Sequence, residues 1–152
     1  MTQATTMSGT MLKTPWHLWL VSVFAVLFNA IGVFDYVMTM VQGSTYLASA
    51  GMTPAQIAHY QEMPAWMIAV WATGVWGAML ASVLILLRKS LAVPVFGVSL
   101  AAFLVSLIYT YVLTDGGEIM GRAMAITSGV ITALLLFFMW YSRLMTMRGV
   151  LR

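Results

Sequence analysis

The chain has 152 residues, of which 62% are apolar and 7% are charged. A typical soluble domain carries about 25% charged residues, so this composition predicts a membrane protein. One membrane-crossing helix needs about 20 apolar residues, which gives room for about four crossings and for no additional soluble domain. The seven Lys and Arg residues are too scattered for a phosphate-reading surface, which excludes nucleic acid as a partner. Because cysteine is absent, disulfides and thiolate metal sites are excluded.

The N-terminal part of the chain predicts a tail followed by a long helix. Residues 1–14 are rich in Thr and Ser and have too few apolar side chains to order themselves, so we expect a flexible cytoplasmic tail. Residues 16–40 are almost continuously apolar and predict the first membrane-crossing helix. Pro15 fits the first turn of that helix.

A short helix is predicted between the first and second crossings. Thr53, Pro54 and Gln56 have the spacing of a capping box with proline in the first turn. We therefore expect an interfacial helix over residues 54–62. Its polar surroundings place it outside the hydrocarbon.

Three further crossings follow. They are predicted over residues 65–87, 91–113 and 119–141. Residues 15–142 thus predict an all-α integral membrane domain with four transmembrane helices in a bundle. Residues 143–152 predict a basic cytoplasmic tail.

Charge is distributed unevenly over this map. Six basic residues lie at one end of the predicted helices: Lys13, Arg88, Lys89, Arg143, Arg148 and Arg152. The positive-inside rule therefore places both termini in the cytoplasm. All four acidic residues lie toward the opposite, external end, where the short helix also lies: Asp35, Glu62, Asp115 and Glu118.

The first helix carries a polar face within its apolar sequence. At about 100° per residue, Asn29, Gly32, Asp35 and Tyr36 fall within one arc. A carboxylate in hydrocarbon costs on the order of 3 kcal/mol, so such groups normally face protein or water. Asn29, Asp35 and Tyr36 are therefore the candidate polar site. The alternative is that Asp35 reaches the external headgroups and Asn29 makes a helix–helix hydrogen bond.

Small residues recur at four-residue spacing on the second and fourth helices. Such rows allow two helix backbones to approach closely and are typical of packing interfaces. With the small residue on the polar face of the first helix, the predicted packing positions are Gly32, Gly74, Gly77, Ala78, Gly121 and Gly129.

Residue types that carry catalysis or bind metals are sparse. Met120 and Met124 have the spacing that puts two thioethers on one helix face, but among 14 methionines about one such pair is expected by chance. His17 and His59 lie at opposite ends of the predicted bundle, so they cannot clamp one haem. Paired-carboxylate motifs, phosphate loops and nucleophile elbows are absent from the sequence. We therefore expect no enzyme, no metal and no cofactor.

Two motifs carry a resemblance. NAIGVFDY at residues 29–36 and GVWG at residues 74–77 resemble an uncharacterised family of bacterial four-helix inner-membrane proteins, some of whose members are labelled "sugar transporter". The resemblance covers residues 15–113. It implies a multi-pass location in the bacterial inner membrane and favours transport slightly.

Two functions fit these observations. The first is transport of a small neutral solute by an oligomer, with Asn29, Asp35 and Tyr36 supplying polar contacts. An oligomer is required because four helices alone make a narrow bundle. The second is a non-catalytic accessory or assembly subunit of a larger membrane complex, whose small-residue rows bind a partner. The expected partners are membrane lipid and either copies of this chain or that complex.

Overall fold

The computed structural model describes residues 13–152, which form helices joined by short connections. The helices are α1 (Trp16–Gln42), α2 (Ser44–Ser49), α3 (Pro54–Gln61), α4 (Ala65–Leu86), α5 (Ala92–Ile108), which continues as a π-helical turn (Tyr109–Leu113), and α6 (Gly116–Met147). Four of these elements are long and apolar enough to cross a membrane: α1, α4, α5 with its π-helical turn, and α6. The prediction of an all-α chain with four helices of membrane-crossing length and apolarity is confirmed for the described residues, and this architecture is compatible with a multi-pass membrane protein.

The long helices pack in the order α1, α4, α5 and α6. α1 and α6 meet near the chain termini, where His17 Nδ1 lies 2.6 Å from the Tyr141 hydroxyl. At the same end the ring of Phe138 packs against Phe24 and Phe96, with centroids 6.0 and 5.8 Å away. Further along the bundle, a cavity separates α1 from α6. The tightly packed core is thus concentrated toward the end that holds the termini.

The C-terminal segment differs from the predicted basic tail. α6 continues to Met147, because Met145 is buried and extends the apolar face of the helix. Gly149 then adopts φ 70° and turns the chain back in a Schellman motif. The turn buries Val150 and Leu151 against the core. The C-terminus is therefore part of the folded bundle.

Both termini of the described chain meet at the turn between α4 and α5. The Arg152 N–H donates to the Arg88 carbonyl at 2.8 Å, and the Ser90 N–H donates to the Arg152 carbonyl at 3.0 Å. The Arg88 guanidinium donates to the Thr14 hydroxyl at 2.8 Å. We call this the basic end; the side of the membrane on which it lies stays a prediction. Most of the predicted flexible tail, residues 1–12, lies outside the described residues.

Two short helices, α2 and α3, lie at the opposite end, which we call the acidic end after the Asp and Glu residues there. α3 begins with the predicted capping box: the Thr53 N–H donates to Gln56 Oε1 at 3.0 Å, and the Gln56 N–H donates to Thr53 Oγ1 at 3.3 Å. Gln56 Nε2 also donates to the Ile119 carbonyl at 3.2 Å. Gln56, which completes the capping box, therefore ties α3 to the start of α6.

Gly121 interrupts α6 instead of packing against another helix. Its φ of 71° and ψ of −171° lie in a region that is essentially restricted to glycine. A Cβ at this position would have no heavy atom within 4 Å, so a close helix contact is not what requires glycine here. The break frees backbone acceptors of the preceding turn. One of these, the Ile119 carbonyl, is the group that Gln56 binds.

Candidate functional site

A cavity of about 780 Å³ lies between α1, α4, α5 and α6 toward the acidic end, and side chains of α2 and α3 complete its wall. Clefts of this size are typical of small-molecule sites. Most of the lining side chains are apolar. The polar ones are Asn29, Asp35, Tyr46, His59, Tyr60, Ser106, Thr110, Tyr111, Thr127 and Ser128.

The predicted polar face of α1 forms one wall of this cavity. Asn29, Gly32 and Asp35 all line it, because they recur at three-residue spacing on one side of the helix. Tyr36 does not line the cavity. Its ring packs against Trp71 of α4 at 4.9 Å and 81°, behind the cavity wall. The structure thus brings two of the three predicted residues to the cavity.

Asn29 is buried and joins α1 to α4. Its Nδ2 donates to the Ala25 carbonyl and to Ser82 Oγ, each at 2.9 Å. Ser82 Oγ in turn donates to the Ala78 carbonyl at 2.8 Å. This is the helix–helix hydrogen bond that one interpretation of the sequence proposed. With both amide donors used, the Asn29 side chain has its carbonyl acceptor to offer to a ligand.

Asp35 connects α1 to α2. The Tyr46 hydroxyl donates to Asp35 Oδ1 at 2.9 Å, and the Tyr46 ring packs edge-on against Phe34 at 6.4 Å. The hydrogen bond to the carboxylate, desolvation and the Asp35 charge raise the pKa of Tyr46 above its ordinary value. Asp35 itself is exposed at the cavity wall. The contact holds α2 beside the cavity while leaving the carboxylate accessible.

Aromatic side chains surround the acidic end of the cavity. Trp71 of α4 and Tyr60 of α3 both line it, and their rings lie 5.8 Å apart. Burial and the negative charge of Asp35 raise the pKa of Tyr60 to about 12. Burial is the larger of the two effects, and the Asp35 charge adds to it.

Several lining residues were not identified from the sequence. Trp71 is one of them, and it precedes the lining residue Gly74 by three positions on the same face of α4. Thr110 and Tyr111 reach the cavity from the π-helical turn, where the Thr114 hydroxyl donates to the Tyr109 carbonyl at 3.0 Å. The apolar pattern of residues 109–113 does not distinguish a π-helical turn from an α-helix.

The packing positions on α4 lie at close helix contacts. A Cβ at Gly77 would lie 3.3 Å from Ser99 Cβ, and one at Gly74 would lie 3.7 Å from Ala102 Cβ. Ser99 Oγ also donates to the Gly74 carbonyl at 2.6 Å. Ala78 is buried where α4 borders the cavity.

Gly32 and Gly129 were also predicted to be packing positions, but their surroundings are open. A Cβ at either residue would have no heavy atom within 4 Å. Gly32 faces the cavity, where no neighbouring backbone approaches it. Gly129 is exposed on the outer face of α6. Neither glycine therefore marks a close contact within the described chain.

Four methionines line the cavity: Met63, Met67, Met120 and Met124. Methionine side chains are flexible and polarisable, so they suit a wall that adapts to apolar ligands. Within residues 13–152, no group of three or more His, Cys, Asp or Glu side chains is placed to hold a metal ion.

Comparison of the chain with protein-family models, with curated proteins and with solved structures finds no match.

Proposed function

We propose that this chain is a multi-pass protein of the bacterial inner membrane that carries a small solute through its interhelical cavity. The observation that supports this function is the cavity of about 780 Å³, bordered by four helices of membrane-crossing length. Such a cavity offers a solute a binding site at membrane depth. Asn29 and Asp35 supply polar contacts on its α1 wall.

The lining restricts the kind of solute. Most of the wall is built from apolar side chains such as Phe28, Met67 and Leu135. A sugar-like molecule with many hydroxyl groups would lose more hydrogen bonds to water than this wall replaces. The solute therefore has an apolar body and few polar groups.

An oligomer completes the proposed pathway. One copy is a narrow four-helix bundle, and α6 carries small residues on its exposed outer face: Ala125, Gly129 and Ala133. Rows of this kind allow another membrane helix to approach closely. The same face supports the second candidate function, an accessory subunit that packs against a larger complex.

Uptake into proteoliposomes tests the transport function. The panel contains radiolabelled neutral solutes and lipophilic organic ions. Leu at Gly32 would extend into the cavity, since a Cβ there meets open space. We expect at least one solute to enter faster than in protein-free liposomes, and Gly32→Leu to abolish that difference. Gly97→Leu is the matched control, because Gly97 also has open space around its Cβ and does not line the cavity.

Equal uptake by wild type and Gly32→Leu for every solute in the panel would contradict transport through the cavity. Native mass measurement after mild solubilisation separates the two functions. A homo-oligomer supports transport, whereas a stoichiometric foreign partner supports the accessory role.

A further inference from the structure

The charge of the cavity wall is one-sided. Of residues 13–152, which the structure describes, no Lys or Arg side chain lines the cavity. Asp35 is the one Asp or Glu on the wall in this part of the chain. The titratable neighbours that share the lining are His59, Tyr46, Tyr60 and Tyr111. Within the described residues, the Asp35 carboxylate therefore has no Lys or Arg partner on the cavity wall, and His59 is the one basic side chain that shares the lining.

The position of Asp35 makes this carboxylate available to a ligand. Tyr46 donates to Oδ1 at 2.9 Å, which fixes the orientation of the group. Oδ2 receives no such donor within the described residues. A carboxylate within a membrane-spanning helix is costly unless a cation or polar groups compensate it. A hydroxyl donor compensates it partly, and a cationic ligand would compensate it fully.

Aromatic side chains line the cavity together with Asp35. Trp71 and Tyr60 line the same end of the cavity as Asp35, and the Phe34 ring lies beside Tyr46. Cations are attracted to the faces of Trp and Tyr rings, most strongly when water is excluded. The Asp35 charge also contributes, after burial, to the raised pKa of Tyr60.

We propose that the cavity binds a lipophilic organic cation, with Asp35 as the counter-charge and Trp71 and Tyr60 as the aromatic wall around the cationic group. The apolar side chains deeper in the cavity would contact the body of the molecule. This inference rests on the proposed function and replaces the neutral solute expected from the sequence with a charged one. A neutral solute would leave the Asp35 carboxylate compensated only by the Tyr46 hydroxyl.

Tetraphenylphosphonium and tetraphenylborate test the charge preference, because they have nearly the same size and shape and opposite charge. Binding is measured by equilibrium dialysis against the full chain in lipid nanodiscs, with empty nanodiscs subtracted. We expect wild type to bind the phosphonium about tenfold or more tightly than the borate. This comparison requires no variant, so it decides the question even if a variant does not fold.

Variants then assign the preference to Asp35. We expect Asp35→Asn to weaken phosphonium binding about tenfold or more and Asp35→Glu to restore most of it. Glu62→Gln removes a carboxylate that does not line the cavity. The affinity of this variant for the phosphonium should therefore stay within about twofold of wild type. Melting temperatures of all three variants establish that they fold.

Failure of the inference and failure of the proposed function give different results. Equal phosphonium and borate affinities, or unchanged phosphonium binding in Asp35→Asn, would overturn the cation assignment. If either probe still bound less to Gly32→Leu, cavity binding itself would stand. If neither probe responded to Gly32→Leu, both proposals would fall.

Discussion

Asn29 shows how a single side chain can have both of the roles that the sequence left open. It lines the cavity, and its Nδ2 donates to Ser82 Oγ across the α1–α4 interface at 2.9 Å. Asp35 has a comparable double role, since it accepts from Tyr46 and remains exposed at the wall. The residues that position the helices are therefore also residues that a ligand would contact.

The Asn29–Ser82 hydrogen bond should contribute measurably to stability. Interhelical hydrogen bonds in membrane proteins average about 0.6 kcal/mol and reach about 1.7 kcal/mol. A double-mutant cycle with Asn29→Ala and Ser82→Ala, followed by unfolding in mixed detergent micelles, should give a coupling energy in this range. Thr73→Ala is the control, because the Thr73 hydroxyl donates within its own helix to Ala69. Additive effects of Asn29→Ala and Ser82→Ala would show that the bond contributes nothing.

Tyr60 should make the stability depend on pH in the alkaline range. Burial and the Asp35 charge raise its pKa from 10.0 to about 12. Between these values the folded chain retains a proton that the unfolded chain has lost. The contribution to stability is therefore complete below pH 10 and is lost as the pH rises through about 12. Free energies of unfolding from pH 9 to 12 should fall less steeply for Tyr60→Phe than for wild type, and parallel curves would contradict the raised pKa.

At the scale of the helices, the apolar runs and the capping box could be predicted from the sequence because they depend on local composition and spacing. Four features could not: the short helix α2, the π-helical turn, the break at Gly121 and the C-terminal turn at Gly149. Each depends on contacts that form only after folding. Gln56, for example, binds the Ile119 carbonyl from a position 63 residues away in the sequence. Spacing rules that act over four residues cannot detect such contacts.

The α4–α5 interface should be sensitive to side-chain volume at Gly77. Its Cβ position lies 3.3 Å from Ser99 Cβ, so Leu would force the helices apart. Overpacking of this kind typically costs about 1 to 3 kcal/mol. Gly97→Leu on α5 is the matched control: its Cβ position is open, and Leu favours helix by up to about 1 kcal/mol over Gly. Equal melting temperatures for the Gly77 and Gly97 variants would contradict the close contact.

At the scale of the whole molecule, the four-crossing architecture follows from composition, whereas the cavity does not. A helical wheel identifies the polar face of α1, but it contains no information on which helices face it. The approach of α1 to α6 near His17 and Tyr141, and their separation around the cavity, depend on packing between segments far apart in the sequence. For this reason Asn29 and Asp35 could be predicted as polar residues of α1, while Trp71 and Tyr60 on the same cavity could not.

The orientation of the whole chain in the membrane is predicted from the distribution of its basic residues. Six basic residues lie toward the basic end, so we expect that end to face the cytoplasm. Reporter fusions after Arg152 and in the turn at Ser90 should report cytoplasm. A fusion near Ala50, between α2 and α3, should report the exterior. A C-terminal fusion that reports the exterior would reverse the orientation.

Protection of a single introduced cysteine from chemical labelling by a bound ligand tests most directly whether the interhelical cavity is a ligand site. The chain has no natural cysteine, so Gly32→Cys introduces one thiol, on the cavity wall. Ala50→Cys is the control, since Ala50 is exposed and does not line the cavity. The measurement is the rate of N-ethylmaleimide labelling in membranes with and without tetraphenylphosphonium. We predict that the cation slows labelling of the Gly32→Cys variant and leaves labelling of the Ala50→Cys variant unchanged. Equal labelling rates for Gly32→Cys with and without the cation would contradict ligand binding in the cavity.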